Sequence, residues 1–297
     1  MRVPYVKVLQ SEAEEEIKRL RRNNQILREF KIRRAGDFVL IPVRDSETVG
    51  EFEENEKKTM GRVGSFERIS DFFIIKGREG WEKIMEEIEI KQSPRAIFLD
   101  EGVAGPYRIR KLRRIYGTGK PAGIYRENGL RFLVDLERAY FSPRLAALRK
   151  RIVDNCVRDS REGLIVDMYA GIGPIVIPLL KAKRNVVAID INPEAIKLLV
   201  ENLKINKVSG QILIADSNSI YQCIKGVEQL IMNNPTQPIE TTQKIIDSLN
   251  PGAFAHLTHI SKREEKIHFR GVETLEVREV HGYSPSSSLF YYRLRKK

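Results

Sequence analysis

The stretch that most constrains this chain is Leu164 to Pro174, LIVDMYAGIGP. An apolar run closes on Asp167, breaks at Gly171 and Gly173, and gives way to a second apolar run, IVIPLL. A buried strand, a tight turn and a helix start produce that order of residues. Glycine lets a backbone approach a ligand where any Cβ would collide. The turn therefore reads as a cradle for a small molecule. From Leu164 onward strand-like and helix-like segments alternate: LIVDMY, a helix through Leu180, NVVAID, PEAIKLLVENLKINK, ILIAD, a short helix, QLIMNN, ETTQKIIDSL and GAFAHLTHI. This alternation predicts an α/β fold with a mostly parallel, doubly wound sheet, and ETLEVREV and LFYYRLR as an antiparallel edge.

What surrounds the turn narrows its ligand. Only two glycines occur before Pro174, unlike the G-x-G-x-x-G of dinucleotide sites. A second acid, Asp190, ends the next strand in VVAIDINP, where a carboxylate can accept both hydroxyls of a ribose. A third, Asp216, ends ILIADS, in reach of an adenine amino group. Acids at three successive strand ends above a glycine turn describe an S-adenosylmethionine site in a class I, Rossmann-like methyltransferase fold. The fourth strand ends in Asn233-Asn234-Pro235, where an amide can hold the edge of a base by its paired donor and acceptor, or can cap the helix that follows.

The 297 residues divide into three parts on this reading. Residues 1–54 form a small strand-helix-strand module, with Ser11 as N-cap of a helix running to Phe30 and a charged linker over 46–62. Residues 60–122 form a second small α/β unit with Trp81 in its core, and 123–297 the methyltransferase domain. Between Tyr107 and Tyr116 lie Arg108, Arg110, Lys111, Arg113 and Arg114. Clustered guanidiniums beside aromatics suit a phosphate backbone and splayed bases, although a solvated strand face has the same pattern. The net charge of +12 points the same way, toward a polyanion, while a solubility-driven excess of Lys gives a similar count. Two cysteines far apart support neither a disulfide framework nor a zinc ribbon. The four histidines have no metal-ligand spacing, since His256 and His259 fall on opposite faces of one strand. With no signal-like start and no apolar run of membrane length, a soluble, cytoplasmic protein without metal is expected.

Taken together, GPYRIRKL, RENGLRFLVDLERAYFSPRL, IVDMYAGIGPIVIP, AIDINPEAIKLLVENLKINKV, LIMNNP and HGYSPS resemble the archaeal and eukaryotic tRNA (guanine-37 N1)-methyltransferases and their relatives in wyosine synthesis. The resemblance covers nearly the whole chain. It implies tRNA as partner, with the N-terminal module on the outer corner and the rest around the anticodon loop, and a monomeric enzyme. Arg108 matches the family's arginine that stabilises charge on guanine O6, and Asn233 the asparagine that orients the base. Tyr169, Ala170, Gly171, Gly173, Pro174, Asp190, Ile191, Asn192, Asp216 and Ser217 match the methyl-donor pocket, with Asp167 below and Asn233 beside it. Arg110, Lys111, Arg113, Arg114 and Arg144 are the expected RNA contacts.

One departure bears on the reaction. The family's SPRL segment continues to a glutamate, thought to take the guanine N1 proton, just before an arginine. Here SPRLAALR places Leu148 there, and a leucine accepts no proton. Asp154, or a water held by Asn233, is then the expected substitute. Alternatively the acceptor is a carbon of a wyosine intermediate, the group transferred is aminocarboxypropyl, or the chain is a catalytically impaired tRNA-binding paralogue.

Overall fold

The computed structural model describes residues 2–297 except 24, 28–29, 54–65, 78, 160–162, 263–264, 266, 283 and 285. The chain forms two compact units: Met1–Phe66, Phe73–Leu99 and Arg114–Gly119 make the first, and Glu67–Phe72, Asp100–Arg113 and Lys120–Lys297 the second.

The first unit begins with β1 (Arg2–Leu9), α1 (Ala13–Arg22), β2 (Arg33–Ala35), β3 (Phe38–Pro42) and β4 (Val49–Glu51), in the sheet order β2-β3-β1-β4. Ser11 does not cap the helix. Glu12 holds that position with no side-chain cap bond, and Glu14, Glu15 and Glu16 complement the positive helix end instead. The helix stops at Asn23, whose N–H turns back to Arg19 and Arg21, well short of Phe30. The apolar residues beyond it serve the sheet: Ile26 bridges Val43, and Phe30 packs with Val3, Leu40 and Phe52. Part of the expected linker is strand β4, paired with β1, while 54–62 lie outside the described residues, as do Tyr283 and Pro285 of the HGYSPS motif.

Next come β5 (Phe66–Ile69), β6 (Phe72–Lys76), α2 (Trp81–Gln92), β7 (Ala96–Ala104) and β8 (Ile109–Gly117), the strands following one another in chain order across a four-stranded sheet. Ile84 and Ile88 of α2 pack on Phe73, Ile75, Ile97 and Leu99. Trp81 packs against the same cluster, as a core residue.

The second unit carries β9 (Ala122–Glu127) and β10 (Leu130–Asp135), a hairpin turning on Asn128 and Gly129, both at positive φ as a two-residue turn of this hand requires. A 3-10 turn at Pro143–Leu145 leads into α3 (Ala146–Asp159). The remainder is β11 (Leu164–Asp167), α4 (Val176–Lys181), β12 (Asn185–Asp190), α5 (Pro193–Ile205), β13 (Gln211–Ile214), α6 (Ser217–Ile220), β14 (Val227–Met232), α7 (Ile239–Asp247), β15 (Phe254–Lys262), β16 (Val272–Gly282) and β17 (Ser287–Lys296). Their sheet runs β13-β12-β11-β14-β15-β17-β16, parallel through β15 and antiparallel at β17. Ile165 and Val166 are both fully buried, which explains why β11 reads as an unbroken apolar run.

Two features fix the site. The chain leaves β11 toward β12 and β13, then returns to β14 on the other side of β11, and ligands bind outside the strand ends at such a reversal. The β9–β10 hairpin is held by two amides one turn apart, Asn202 on α5 and Asn206 at its C-terminal cap. Asn202 accepts from the Leu133 N–H (2.6 Å) and donates to the Leu133 and Ile172 carbonyls, while Asn206 does the same for Arg131. These amides act as a strand partner for β10.

Candidate active site

The turn after β11 is shaped by its glycines. Gly171 has φ 54°, and a Cβ there would meet nothing within 4 Å, so the face above the turn is open. Gly173, at φ 89°, packs closely: a Cβ would lie 2.3 Å from Leu199 Cδ1. Asp190 braces the turn from β12, its carboxylate accepting from the Gly171 N–H at 2.7 Å and the Asn192 N–H at 2.9 Å. Burial raises its pKa, and those N–H groups act against the rise. Asn192 caps α5 through Glu194 N–H and donates to the Arg138 carbonyl. Asp216 caps α6, accepting from Asn218 N–H and the Ser219 hydroxyl, and buried Ser217 ties to the Met168 carbonyl at 2.5 Å. Ile191 is exposed at the rim. Asp167 sits beneath the turn, fully buried, and accepts from Tyr169 N–H. Burial pushes its carboxyl up to about 7. An acid so placed supports the turn from below.

At the end of β14, Asn233 Oδ1 accepts from the Thr258 hydroxyl at 3.2 Å. Beyond it, Arg108 Nη1 donates to Thr236 Oγ1 (3.2 Å), and Thr236 donates to Asn234 Oδ1 (3.1 Å). The Arg108 backbone has φ 53°, the left-handed region, which costs a non-glycine residue about 1–2 kcal/mol. Arg108 is thus linked through Thr236 to Asn234, the residue that follows Asn233 in the chain.

The cations expected on the RNA do not form one surface. Arg110 is buried and pairs with buried Glu67 at 2.9 Å, with Asp100 at 3.9 Å. Arg144 reaches the same carboxylate at 3.0 Å. Arg113 pairs with Glu101 on the surface, Lys111 is exposed, and in the first unit Arg114 donates to the Gly119 carbonyl. Leu148 is buried at 4% exposure on α3. Its neighbour Arg149 grips Glu127 with two nitrogens and donates to the Ser142 carbonyl. Asp154 is held by Lys150 at 2.6 Å on an exposed part of α3. Sequence reading missed Glu67, Thr236, Gln237 and Asn218, because none stands in a recognisable spacing and each acquires its partner only through the fold.

A glycine turn after one strand, a bracing acid on the next and a capping acid on the third, at the reversal point of a seven-stranded sheet with an antiparallel end, define a class I S-adenosylmethionine-dependent methyltransferase. Comparison gives the family. The model described as the TRM5/TYW2 methyltransferase domain matches residues 123–283, and that of the tRNA methyltransferase 5 N-terminal domain matches 6–50. The chain is 32% identical over 296 residues to the tRNA (guanine(37)-N(1))-methyltransferase Trm5b of Pyrococcus abyssi, covering 86% of this chain and 88% of that protein. It is 27% identical over 234 residues to the tRNA(Phe) (4-demethylwyosine(37)-C(7)) aminocarboxypropyltransferase of Methanocaldococcus jannaschii, covering 78% and 90%. The solved complex of aTrm5 and tRNALeu superposes with TM-score 0.65 at 27% identity, over 99% of this chain and 100% of that one. The chain belongs to the TRM5/TYW2 methyltransferase family, whose members are S-adenosylmethionine-dependent tRNA-modifying transferases. No helix among the described residues is long and apolar enough to cross a membrane.

Proposed function

We propose that the chain methylates the base at position 37 of tRNA, at N1 of guanosine or on its wyosine-pathway derivative. The observation that supports this reading is the link from Arg108 through Thr236 to Asn234, next to the Asn233 read as the base-orienting amide. S-adenosylmethionine supplies an electrophilic methyl group. Asp190 would accept the ribose hydroxyls, Ile191 would flank the adenine, and the turn from Tyr169 to Pro174 would hold the amino-acid end. Asn233 would orient the acceptor through its amide, and Arg108 would offset negative charge growing on the base oxygen as the ring atom attacks in line. Lys111 and Arg113 would meet phosphates, with the N-terminal module on the outer corner of a tRNA bound by a monomer. Arg110 and Arg144, joined by Glu67, would hold the neighbouring backbone rather than the RNA.

A second reading of the acceptor is favoured by buried Leu148. Guanine N1 carries a proton at neutral pH that must leave, and no carboxylate stands where Leu148 does. A ring carbon of a tricyclic intermediate attacks as the neutral base. Its C–H proton is then lost from a cationic adduct, acidic enough for water to take it. The test uses donor labelled on its methyl or on its aminocarboxypropyl portion, with tRNA bearing guanosine or the tricycle at position 37. Methyl label in the modified base is expected. Label arriving only from the other portion would establish aminocarboxypropyl transfer, and tight tRNA binding with no label, even after Leu148→Glu, a binding paralogue.

A further inference from the structure

Arg108 is the end of a longer hydrogen-bond chain that reaches the donor side of the site. Arg108 Nη1 donates to Thr236 Oγ1, Thr236 to Asn234 Oδ1, Asn234 Nδ2 to Gln237 Oε1 at 3.4 Å, and Gln237 Nε2 to Asn218 Oδ1 at 2.5 Å. Asn218 is the residue whose N–H is held by Asp216, and its Oδ1 also accepts from the Tyr169 hydroxyl at 3.3 Å. The Asn234 amide reaches Tyr169 as well; burial lifts the tyrosine to about 12, and this bond acts against the rise. From Arg108 to Asn218 each group donates away from Arg108, and the Tyr169 hydroxyl donates into the same Asn218 oxygen from the donor side. A cation at the head of such a chain polarises each bond in turn and strengthens the next.

We propose that Thr236 is a positioning residue that aligns the Arg108 guanidinium, and that Asn234, Gln237 and Asn218 tie that alignment to the donor pocket at Tyr169 and Asp216. This inference rests on the reading of Arg108 as the group that stabilises the acceptor. Two observations support it beyond the distances. The Arg108 backbone adopts a left-handed conformation, and strain of this kind persists where surroundings over-determine it. Gln237 is buried at 6% exposure although polar, and its amide spends both ends on this chain. Thr236, by contrast, is exposed. A hydroxyl there has water available, so its orientation between Arg108 and Asn234 serves the guanidinium more than its own solvation.

The test measures single-turnover methyl transfer, donor affinity and tRNA affinity, with whichever position-37 tRNA the wild type methylates. Thr236→Val keeps the shape and removes the hydroxyl. It is expected to lower the rate about 10- to 100-fold, because small misplacement of a catalytic group has effects of that order. Donor affinity should stay within about twofold, and Thr236→Ser should restore most of the rate, which loss of fold would not permit. Gln237→Leu should give a smaller loss of the same kind. Adding Thr236→Val to Arg108→Ala should cost nothing further, since residues acting through one another are non-additive. Equal losses from Thr236→Val in both backgrounds, or a wild-type rate for Thr236→Val, would overturn the proposal. A wild-type rate for Arg108→Ala would instead overturn the reading of Arg108, and the proposal with it.

Discussion

The proposed donor half of the site and the proposed acceptor half are built on different plans. On the donor side, side chains bind backbone: Asp190 holds the Gly171 and Asn192 N–H groups, Asn192 and Asp216 cap helices, and Ser217 ties to Met168. Each contact lies within a few residues of a strand end. On the acceptor side, side chains bind side chains far away in sequence: Arg108 with Thr236, Arg110 and Arg144 with Glu67, Arg149 with Glu127. A pocket of the first kind follows from local geometry and serves any reaction of one cofactor. An arrangement of the second kind can change its chemistry by one substitution, and Leu148, if it stands where relatives carry an acid as proposed, would be such a change.

This contrast predicts where damage shows. The largest effect belongs to Glu67, one carboxylate at 5% exposure that pairs with buried Arg110 and with partly exposed Arg144. Glu67→Gln keeps the shape and leaves Arg110 with only the longer contact to Asp100, and removing one partner of a buried ion pair costs about 3–5 kcal/mol. Urea unfolding should show a loss of that size, with the donor turn itself intact. A loss under about 1 kcal/mol would mean that Asp100 suffices, and that the acceptor scaffold is less interdependent than the contacts imply.

Asp190→Ala comes next and strikes the other half. It removes a charged acceptor from two backbone N–H groups and from the expected ribose contact, and bonds to charged groups contribute about 1.5–3 kcal/mol each. Calorimetry should show donor binding weakened by about 100-fold or more. tRNA binding should change far less. Equal loss of both ligands would erase the distinction between the halves.

The smallest effect is that of Lys111→Ala, on an exposed strand position beside buried Arg110. It should weaken tRNA binding a few-fold and lower the slope of log affinity against log salt by about 1. Arg110→Ala should act instead through stability. If the two variants behaved alike, the division of the cationic segment into buried scaffold and exposed contact would be wrong.

The same division explains what was legible in the sequence. The strand–turn–helix at Asp167 to Pro174, the acids at Asp190 and Asp216 and the antiparallel end are local patterns with a fixed period, and the seven-stranded sheet has them in the expected order. Arg110 was not legible as a buried residue, because alternating Arg and apolar residues describe a strand without saying which face is covered. Its partner Glu67 lies 43 positions away. The end of α1 was also misread. Leu27 and Phe30 continue a helical spacing, but Asn23 closes the helix and the sheet takes the apolar residues that follow. Asn202 and Asn206 look like polar interruptions in an amphipathic helix, and only the hairpin laid against them shows why an amide is needed there.

In the reading proposed above, the donor pocket serves an acceptor site whose reaction is decided by Arg108, Asn233 and Leu148. Its most direct test is mass identification of the nucleoside formed at position 37, by wild type and Leu148→Glu, from tRNA carrying guanosine and from tRNA carrying the tricycle. A methylated base is expected from the wild type, and a higher rate on guanosine with Leu148→Glu. No methylated base from either tRNA with either protein would contradict it.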